Sequence, residues 1–297
     1  MTMVHDALII GGGPAGLIAA TYLARFRRSV VLVDAGRSRA ASIPRSHNYP
    51  GFAEGISGTR LITSLREQAG RYQVDTAVGC VETLSRRADG MFEARWASGT
   101  ALARTVLLAT GGSDIAPDMP YLDDALREGA LRYCPVCDGF EVIDRPVGVL
   151  IDGPHGIGEA LYLQHFTRQL TVFRSHADVV LDNAARQRLA DAAIALEDDP
   201  VKSIRLWNGQ AVVHHASRQT AVDAVYSALG MKIHSDLARS LGAETDGAGY
   251  LAVDRHNQTT VEGLYAAGDV SQGLNQISVA SGGAAVAASA MHQALRG

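Results

Sequence analysis

A chain of 297 residues, 47% of them hydrophobic, can bury a substantial core as one large domain or two modest ones. Its formal charge of -4 and its lack of Lys/Arg runs exclude a polyanion-binding surface, so neither nucleic acid nor an anionic membrane is an expected partner. Three cysteines, Cys80, Cys134 and Cys137, exclude a secreted disulfide scaffold.

The first residues, MTMVHDALIIGGG, show no basic segment, apolar core or small-residue cleavage pattern, and the expectation is a cytoplasmic chain. ALII reads as a strand, Gly11-Gly12-Gly13-Pro14-Ala15-Gly16 as a loop, LIAATYLARF as a helix and SVVLVDAG as a second strand. This is the G-x-G-x-x-G unit of a dinucleotide fold. Gly11 permits the tight turn, Gly13 lets backbone approach a pyrophosphate, and Gly16 lets the helix pack on the strand. Asp34 follows Gly11 by 23 residues, where an acid can bond ribose hydroxyls.

VGCVETL alternates like a strand and places Cys80 as an inert core thiol. Next comes RYCPVCDGFE, with Cys134 and Cys137 in a C-x-x-C. A zinc site needs about four Cys or His ligands, and no second C-x-x-C or suitably spaced His pair accompanies this one. His214 and His215 are adjacent, so a strand would point them to opposite faces. A redox couple is therefore the favoured reading of the pair, and no metal is expected.

A second strand, loop, helix and strand follows: PVGVLI, Asp152 to Gly156, GEALYLQHF and QLTVFRS. The loop reads I-x-G-x-x-G, with Ile151 where the tight turn wants glycine, and the position 23 residues after Ile151 is Arg174. An arginine there suits a 2'-phosphate rather than ribose hydroxyls. The expectation is a retained fold with a degenerate nucleotide site. Farther on, a β-run from Thr259 ends in Ala266-Ala267-Gly268-Asp269, offering a small turn and a carboxylate for a flavin's ribityl chain. Gln276-Ile277-Ser278 then opens a small-residue helix whose N-terminal amides favour negative charge. The stretch from Ser271 to Leu295 lacks charged residues but is too polar for a membrane span.

GGGPAGLIAA, Asn48-Tyr49-Pro50-Gly51, LLATGG at 107–112, C-P-V-C-D-G and GLYAAGD occur here in the order found in the low-molecular-weight thioredoxin reductases, which the chain resembles over nearly its whole length. The resemblance implies an α/β protein of two Rossmann-like domains, the second inserted in the first. The FAD domain would comprise 1–116 and 236–297, and the NADPH-type domain carrying the C-x-x-C would comprise 117–235, with crossings near Asp114 to Pro120 and Gly230 to Asp236. FAD would lie along Gly11, Gly13, Pro14, Ala15, Gly16, Asp34, Ala35, Asn48, Thr110, Gly111, Gly268, Asp269, Gln276 and Ile277. By the same resemblance Cys137 faces the flavin, Cys134 attacks the disulfide of thioredoxin or a similar protein, and Asp138 manages the thiol proton. The family is usually homodimeric, and the resemblance implies the same here.

The departures bear on the electron donor. NADPH-using members carry G-x-G-x-x-A and an H-R-R-x-x-x-R cluster, whereas this chain has Arg174-Ser175-His176 and Val180 at the corresponding places. Losing two of three arginines removes charge-assisted phosphate contacts. Asn275 stands where the family has an arginine before its flavin-edge glutamine. The pattern is similar to the pyridine-nucleotide-independent branch, in which ferredoxin reduces the flavin. Ferredoxin and NADPH both stay open as donors, ferredoxin the favoured one. Two alternatives have other outcomes: a flavin dithiol oxidase passing electrons to oxygen, with His47 as a residual candidate base, and a flavin redox sensor without turnover.

Overall fold

The computed structural model describes residues 3–296. β1 (Val4–Ile10) starts on Val4-His5-Asp6 and becomes wholly apolar from Ala7 on, as a strand covered on both faces must be, and Ala7, Leu8 and Ile9 are fully buried. Past Gly11 the chain enters α1 (Pro14–Arg25), where a proline in the first turn sacrifices an N–H that has no partner within the helix. β2 (Val30–Asp34) follows, then a 3-10 turn at Arg39–Ser42 and α2 (Gly58–Gly70), whose cap Ser57 accepts from the Arg60 N–H. β3 (Asp75–Val78), β4 (Val81–Arg86), β5 (Phe92–Trp96), β6 (Gly99–Leu108) and β7 (Gly112–Asp114) complete the first third of the chain.

The middle of the chain holds α3 (Leu122–Arg127), β8 (Leu131–Arg132), α4 (Pro135–Asp138), β9 (Val147–Ile151), α5 (Ile157–Leu163), β10 (Leu170–Arg174) and α6 (Asn183–Asp191). Asp182 caps α6 by accepting from the Ala185 N–H at 2.7 Å. β11 (Ala195–Glu197), β12 (Ser203–Trp207), β13 (Gln210–His214), β14 (Gln219–Val222), β15 (Ala224–Ala228) and β16 (Met231–Ile233) follow, and the chain closes with α7 (Asp236–Arg239), β17 (Leu264–Ala266) and α8 (Ile277–Ala294).

These elements form two compact units, one of residues 1–113 and 232–297, the other of 114–231. The units divide at Ser113/Asp114 and Met231/Lys232, against the expected 116/117 and 235/236. In the first unit the sheet order is β3-β2-β1-β6-β5-β4, with β17 also on β6. On the edge away from β1, β6 serves two neighbours in turn: its first half pairs antiparallel with β5, and its last three residues, Val106 to Leu108, pair parallel with β17. Its core lies between the sheet and the helices, where the small residues Ala280, Ala284, Ala287 and Ala288 of α8 join Ala15, Ala19 and Ala20 of α1. The second unit is an all-parallel sheet, β11-β10-β9-β15-β8, with a separate antiparallel meander β12-β13-β14. Both main sheets belong to the Rossmann-like class the motifs imply.

Three local expectations are corrected. VGCVETL is not one strand: β3 ends at Val78, β4 starts at Val81, and Cys80 lies exposed between them. The Trp96 ring fills the space beside Gly79, where an added Cβ would sit 2.4 Å from Trp96 Cδ1, so the chain bends there around an indole. The run from Thr259 to Asp269 is strand only over Leu264–Ala266, because the Thr259 N–H and hydroxyl both turn back onto the Leu264 carbonyl. His214 ends β13 half-buried, and His215, the residue after the strand, is buried, its Nδ1 2.8 Å from the Asp199 carbonyl oxygen. Among the described residues no helix is long and apolar enough to cross a membrane, and no group of three or more His, Cys, Asp or Glu is arranged to hold a metal ion.

Candidate active site

In the first unit, four parallel strands end side by side, and their loops are tied together by successive backbone bonds. Gly11 N–H donates to the Val33 carbonyl at 2.9 Å, Ala109 N–H to that of Ile10 at 2.8 Å, and Ala267 N–H to that of Leu108 at 3.1 Å. Gly11 to Gly16, Asp34, Ala35, Thr110, Gly111, Gly268 and Asp269 thereby gather at the carboxyl ends of β1, β2, β6 and β17. This is where open α/β sheets bind ligands. The glycines are forced by contact. A Cβ on Gly11 would lie 2.2 Å from the Ala109 carbonyl oxygen, and Gly11 has a φ of +108°; a Cβ on Gly16 would lie 1.9 Å from the Gly11 oxygen.

The Asp34 carboxylate accepts from the N–H groups of Gly12 and Gly36, both at 3.1 Å, and pairs with Arg66 at 3.0 Å. Asn48 reaches across the sequence to donate its amide to Gln276 Oε1 at 2.8 Å, at the start of α8 beside Ile277. Thr110 donates its hydroxyl to the His234 carbonyl at 2.7 Å, and Asn275 its amide to the Tyr250 hydroxyl at 2.9 Å. His47 is exposed in the loop before Asn48. Two cations at this site escaped sequence reasoning. Arg66 sits on the helix after the acid strand, and Arg39, in the 3-10 turn, pairs with Asp269 at 3.3 Å. No spacing rule marks either, since each finds its carboxylate through space.

In the second unit Cys134 and Cys137 form a disulfide, with Cα atoms 5.3 Å apart. Cys134 is the N-cap of the short helix α4, and its Sγ accepts from the Cys137 N–H at 3.1 Å. Pro135 occupies the first helical position, and Gly139 closes the turn because the Phe166 ring leaves no room for a Cβ. The Asp138 carboxylate is mostly withdrawn from solvent. Tyr226, fully buried on β15, donates its hydroxyl to Asp138 Oδ1 at 2.8 Å, and Arg132 on β8 lies 3.4 Å from Oδ2. Burial pushes the Asp138 carboxyl above the usual aspartate range, against the opposing pull of Arg132 and the Tyr226 hydrogen bond. Burial and the Asp138 charge likewise raise Tyr226 above an ordinary phenol, so it stays a donor. Neither Tyr226 nor Arg132 carries a sequence signal for this contact.

The second loop, Ile151 to Gly156, keeps the third glycine and loses the first. Gly156 packs so closely that a Cβ would lie 2.5 Å from Ile151 Cγ2, while Ile151 itself is fully buried. Arg174 does not extend toward this loop as a phosphate ligand would. Its Nε donates to the Asp198 carbonyl at 2.8 Å, its NH2 to the same oxygen, and its NH1 to the Val179 carbonyl at 2.9 Å. Asp198, held below the ordinary aspartate range by a two-point hydrogen bond to Arg186 at 2.9 and 3.1 Å, adds a carboxylate 3.7 Å from Arg174 Nε. Asp152 stands beside the glycine loop, with His155 Nε2 3.0 Å from its Oδ1.

Glu159, in the first turn of α5, has a buried Oε2 that makes no hydrogen bond. Burial, with Asp114 adding to it, pushes its carboxyl up to about 7. The folded chain therefore holds a proton between the ordinary glutamate range and about 7 that the unfolded chain has released, and stability falls as pH rises through that window. Replacing Glu159 with Gln is expected to leave denaturant midpoints unchanged at pH 4 and to raise stability by on the order of 1–3 kcal/mol at pH 8. Urea unfolding followed at both pH values checks it; equal stabilities at pH 8 would count against the buried carboxylate.

A disulfide on one dinucleotide-type unit, with a glycine cradle at the strand ends of another, defines a disulfide oxidoreductase built for a nucleotide-derived redox cofactor. The chain belongs to the pyridine nucleotide-disulphide oxidoreductase family, whose profile matches residues 5–284. It is 31% identical over 300 residues to thioredoxin reductase of Treponema pallidum, covering 96% of this chain and 95% of that protein. Thioredoxin reductase of Mycolicibacterium smegmatis is likewise 31% identical over 301 residues, with 96% and 94% covered. Among solved structures, HlmI superposes with a TM-score of 0.90 at 29% identity, covering 100% of this chain and 94% of its own. The protein is a flavin-dependent disulfide oxidoreductase of the thioredoxin reductase type.

Proposed function

We propose that the protein reduces the disulfide of thioredoxin or a similar small protein through Cys134 and Cys137, with an electron donor other than NADPH, ferredoxin being the favoured class. The Cys134–Cys137 disulfide beside a half-buried, tethered Asp138 is the observation that carries the reading.

The cradle suits FAD: only glycine fits at Gly11 and Gly16, which leaves backbone rather than side chains to face a pyrophosphate at the start of α1. Asp34 would take the adenosine ribose hydroxyls, Arg39 and Asp269 would lie at the pyrophosphate and ribityl chain, and Asn48, Gln276 and Ile277 at the flavin end. Bound FAD supplies the two electrons that convert the disulfide to a dithiol. The Cys137 N–H, aimed at Cys134 Sγ, then favours a thiolate on Cys134, the better nucleophile of the pair for that reason. Cys134 attacks the partner's disulfide to give a mixed disulfide, and Cys137 attacks Cys134 to release the reduced partner, so two electrons and two protons leave with it. Asp138 takes up and returns the thiol proton. Phe140, exposed immediately after this turn, offers an apolar contact for a protein partner. By the same reading the chain works in the cytoplasm as a homodimer.

Support for a donor other than NADPH comes from Arg174. A 2'-phosphate needs uncommitted guanidinium donors, and this one is spent on the carbonyls of Asp198 and Val179 next to the Asp198 carboxylate. An anaerobic stopped-flow titration of the FAD-loaded protein tests the donor. Dithionite and reduced ferredoxin are expected to bleach the flavin, and micromolar NADPH is not; rapid bleaching by NADPH would make this an NADPH enzyme despite Arg174. Peroxide formed at the rate of dithiol consumption would instead mark electron flow toward oxygen.

A further inference from the structure

We infer that Tyr226 and Arg132 are positioning residues of the exchange reaction, gripping one carboxylate oxygen of Asp138 each so that the carboxylate is held ionised and ready to accept the thiol proton. The inference rests on the reading of Asp138 as the proton carrier. Its basis is the sheet edge. β15 and β8 are adjacent parallel strands, and Tyr226 and Arg132 are direct partners in their register. Their side chains therefore leave neighbouring backbone positions and converge on one carboxylate, Tyr226 on Oδ1 at 2.8 Å and Arg132 on Oδ2 at 3.4 Å. Both arms are fixed in place. The Tyr226 ring is fully buried in the core of the second unit, its hydroxyl also 3.1 Å from the Asp138 carbonyl oxygen, and Arg132 Nε donates to the Gly129 carbonyl at 3.2 Å.

The grip has a task because burial works against it. A carboxyl withdrawn from water prefers its neutral form, which cannot take a proton from a thiol. Donors aimed at both oxygens favour the ionised form and offset part of that upward push. Glu141, three residues along, opposes them with a like charge, and α5, packed against α4, carries Glu159 and Tyr162. The balance at Asp138 is thus set chiefly by burial and Glu141 on one side and by Arg132 and Tyr226 on the other. During exchange, Cys134 gives its proton to Asp138, its thiolate attacks the partner S–S bond and one partner thiolate leaves. Asp138 returns that proton to the departing thiolate. Cys137 then gives its own proton to the ionised Asp138 carboxylate and closes the intramolecular disulfide on Cys134 Sγ, expelling the second thiolate, which takes that proton. The partner thus gains the two electrons and two protons that the dithiol loses.

The test uses the full-length FAD-loaded protein carrying Cys80→Ser, because the exposed Cys80 thiol would react with the probe. The protein is reduced with dithiothreitol, desalted and mixed anaerobically with 5,5'-dithiobis(2-nitrobenzoate) across pH 5 to 9; carboxyl titration is followed in parallel by carbon-13 NMR of aspartate-labelled protein. Asp138→Asn identifies the Asp138 signal and the limb of the rate profile that belongs to it. Tyr226→Phe, which keeps the ring, and Arg132→Gln are expected to move the Asp138 titration and that limb together to higher pH, with slower exchange at pH 6 and the rate recovered toward pH 9. A purely structural role would slow exchange equally at all pH values and leave the Asp138 midpoint in place, and a midpoint unmoved in both variants overturns the inference. A midpoint that moves while the rate profile stays put upholds the grip on Asp138 and overturns its reading as proton carrier.

Discussion

Serine at position 134 or 137 is expected to abolish turnover of a protein disulfide, with a loss of about a thousandfold or more, while the protein stays folded and yellow. The size follows from what is removed. A hydroxyl is far less acidic than a thiol and cannot form a disulfide, so the two-step relay has no partial substitute. The two variants should differ in how they fail. Cys134→Ser keeps only the thiol read as facing the flavin and has no nucleophile for the partner. Cys137→Ser keeps the Cys134 thiol with its donor N–H, since that donor is backbone, and should trap a stable mixed disulfide with its partner because no second thiol releases it. Mass spectrometry of Cys137→Ser incubated with a thioredoxin decides the matter. An adduct on Cys134 agrees with the assigned order of the two sulfurs, and an adduct seen only with Cys134→Ser reverses it.

The second large effect is expected at Gly16. An added methyl would sit 1.9 Å from the Gly11 carbonyl oxygen and 3.0 Å from its carbon, both backbone atoms that no rotamer change can move. Relief requires α1 to slide away from the loop, at a cost of about 1–3 kcal/mol or more by comparison with overpacked cores. Gly16→Ala should therefore purify colourless, with a lowered melting temperature for the first unit. Gly70→Ala serves as its control, because nothing lies within 4 Å of that Cβ at the end of α2. Flavin absorbance per polypeptide and calorimetry check both; a fully yellow Gly16→Ala would remove the glycine cradle from the argument.

How much of this could be read from sequence depended on whether partners lay along the chain or across it. The strand, glycine loop and helix from ALII to α1 were legible because periodicity and turn chemistry are local, and Asp34 because the βαβ unit fixes its distance from Gly11. C-x-x-C-D-G was legible as a redox pair for the same reason. The VGCVETL alternation misled because Trp96, from another strand, takes the space beside Gly79 and forces a turn. Arg174 stood where a phosphate cation belongs, yet its fate was decided by the Asp198 carbonyl 24 residues away. Arg39, Arg66, Arg132 and Tyr226 gave no signal at all. Each meets its carboxylate only after the sheet has been assembled.

The two-fold role of β6 carries a consequence for how the molecule is made. Its last residues await β17, and α1 awaits the alanine face of α8, both supplied from residues 232–297. The second unit, by contrast, is continuous and has every strand of its own sheet by residue 231. On the ribosome, where chains emerge N-terminus first, the dithiol-bearing unit can therefore close while its sequence predecessor is still waiting for a strand and a helix. The cradle around Gly11 and Gly268 comes together only once the C-terminal segment has emerged, so, on the proposed reading of that cradle, flavin capture is expected to follow assembly of the first unit rather than to template it.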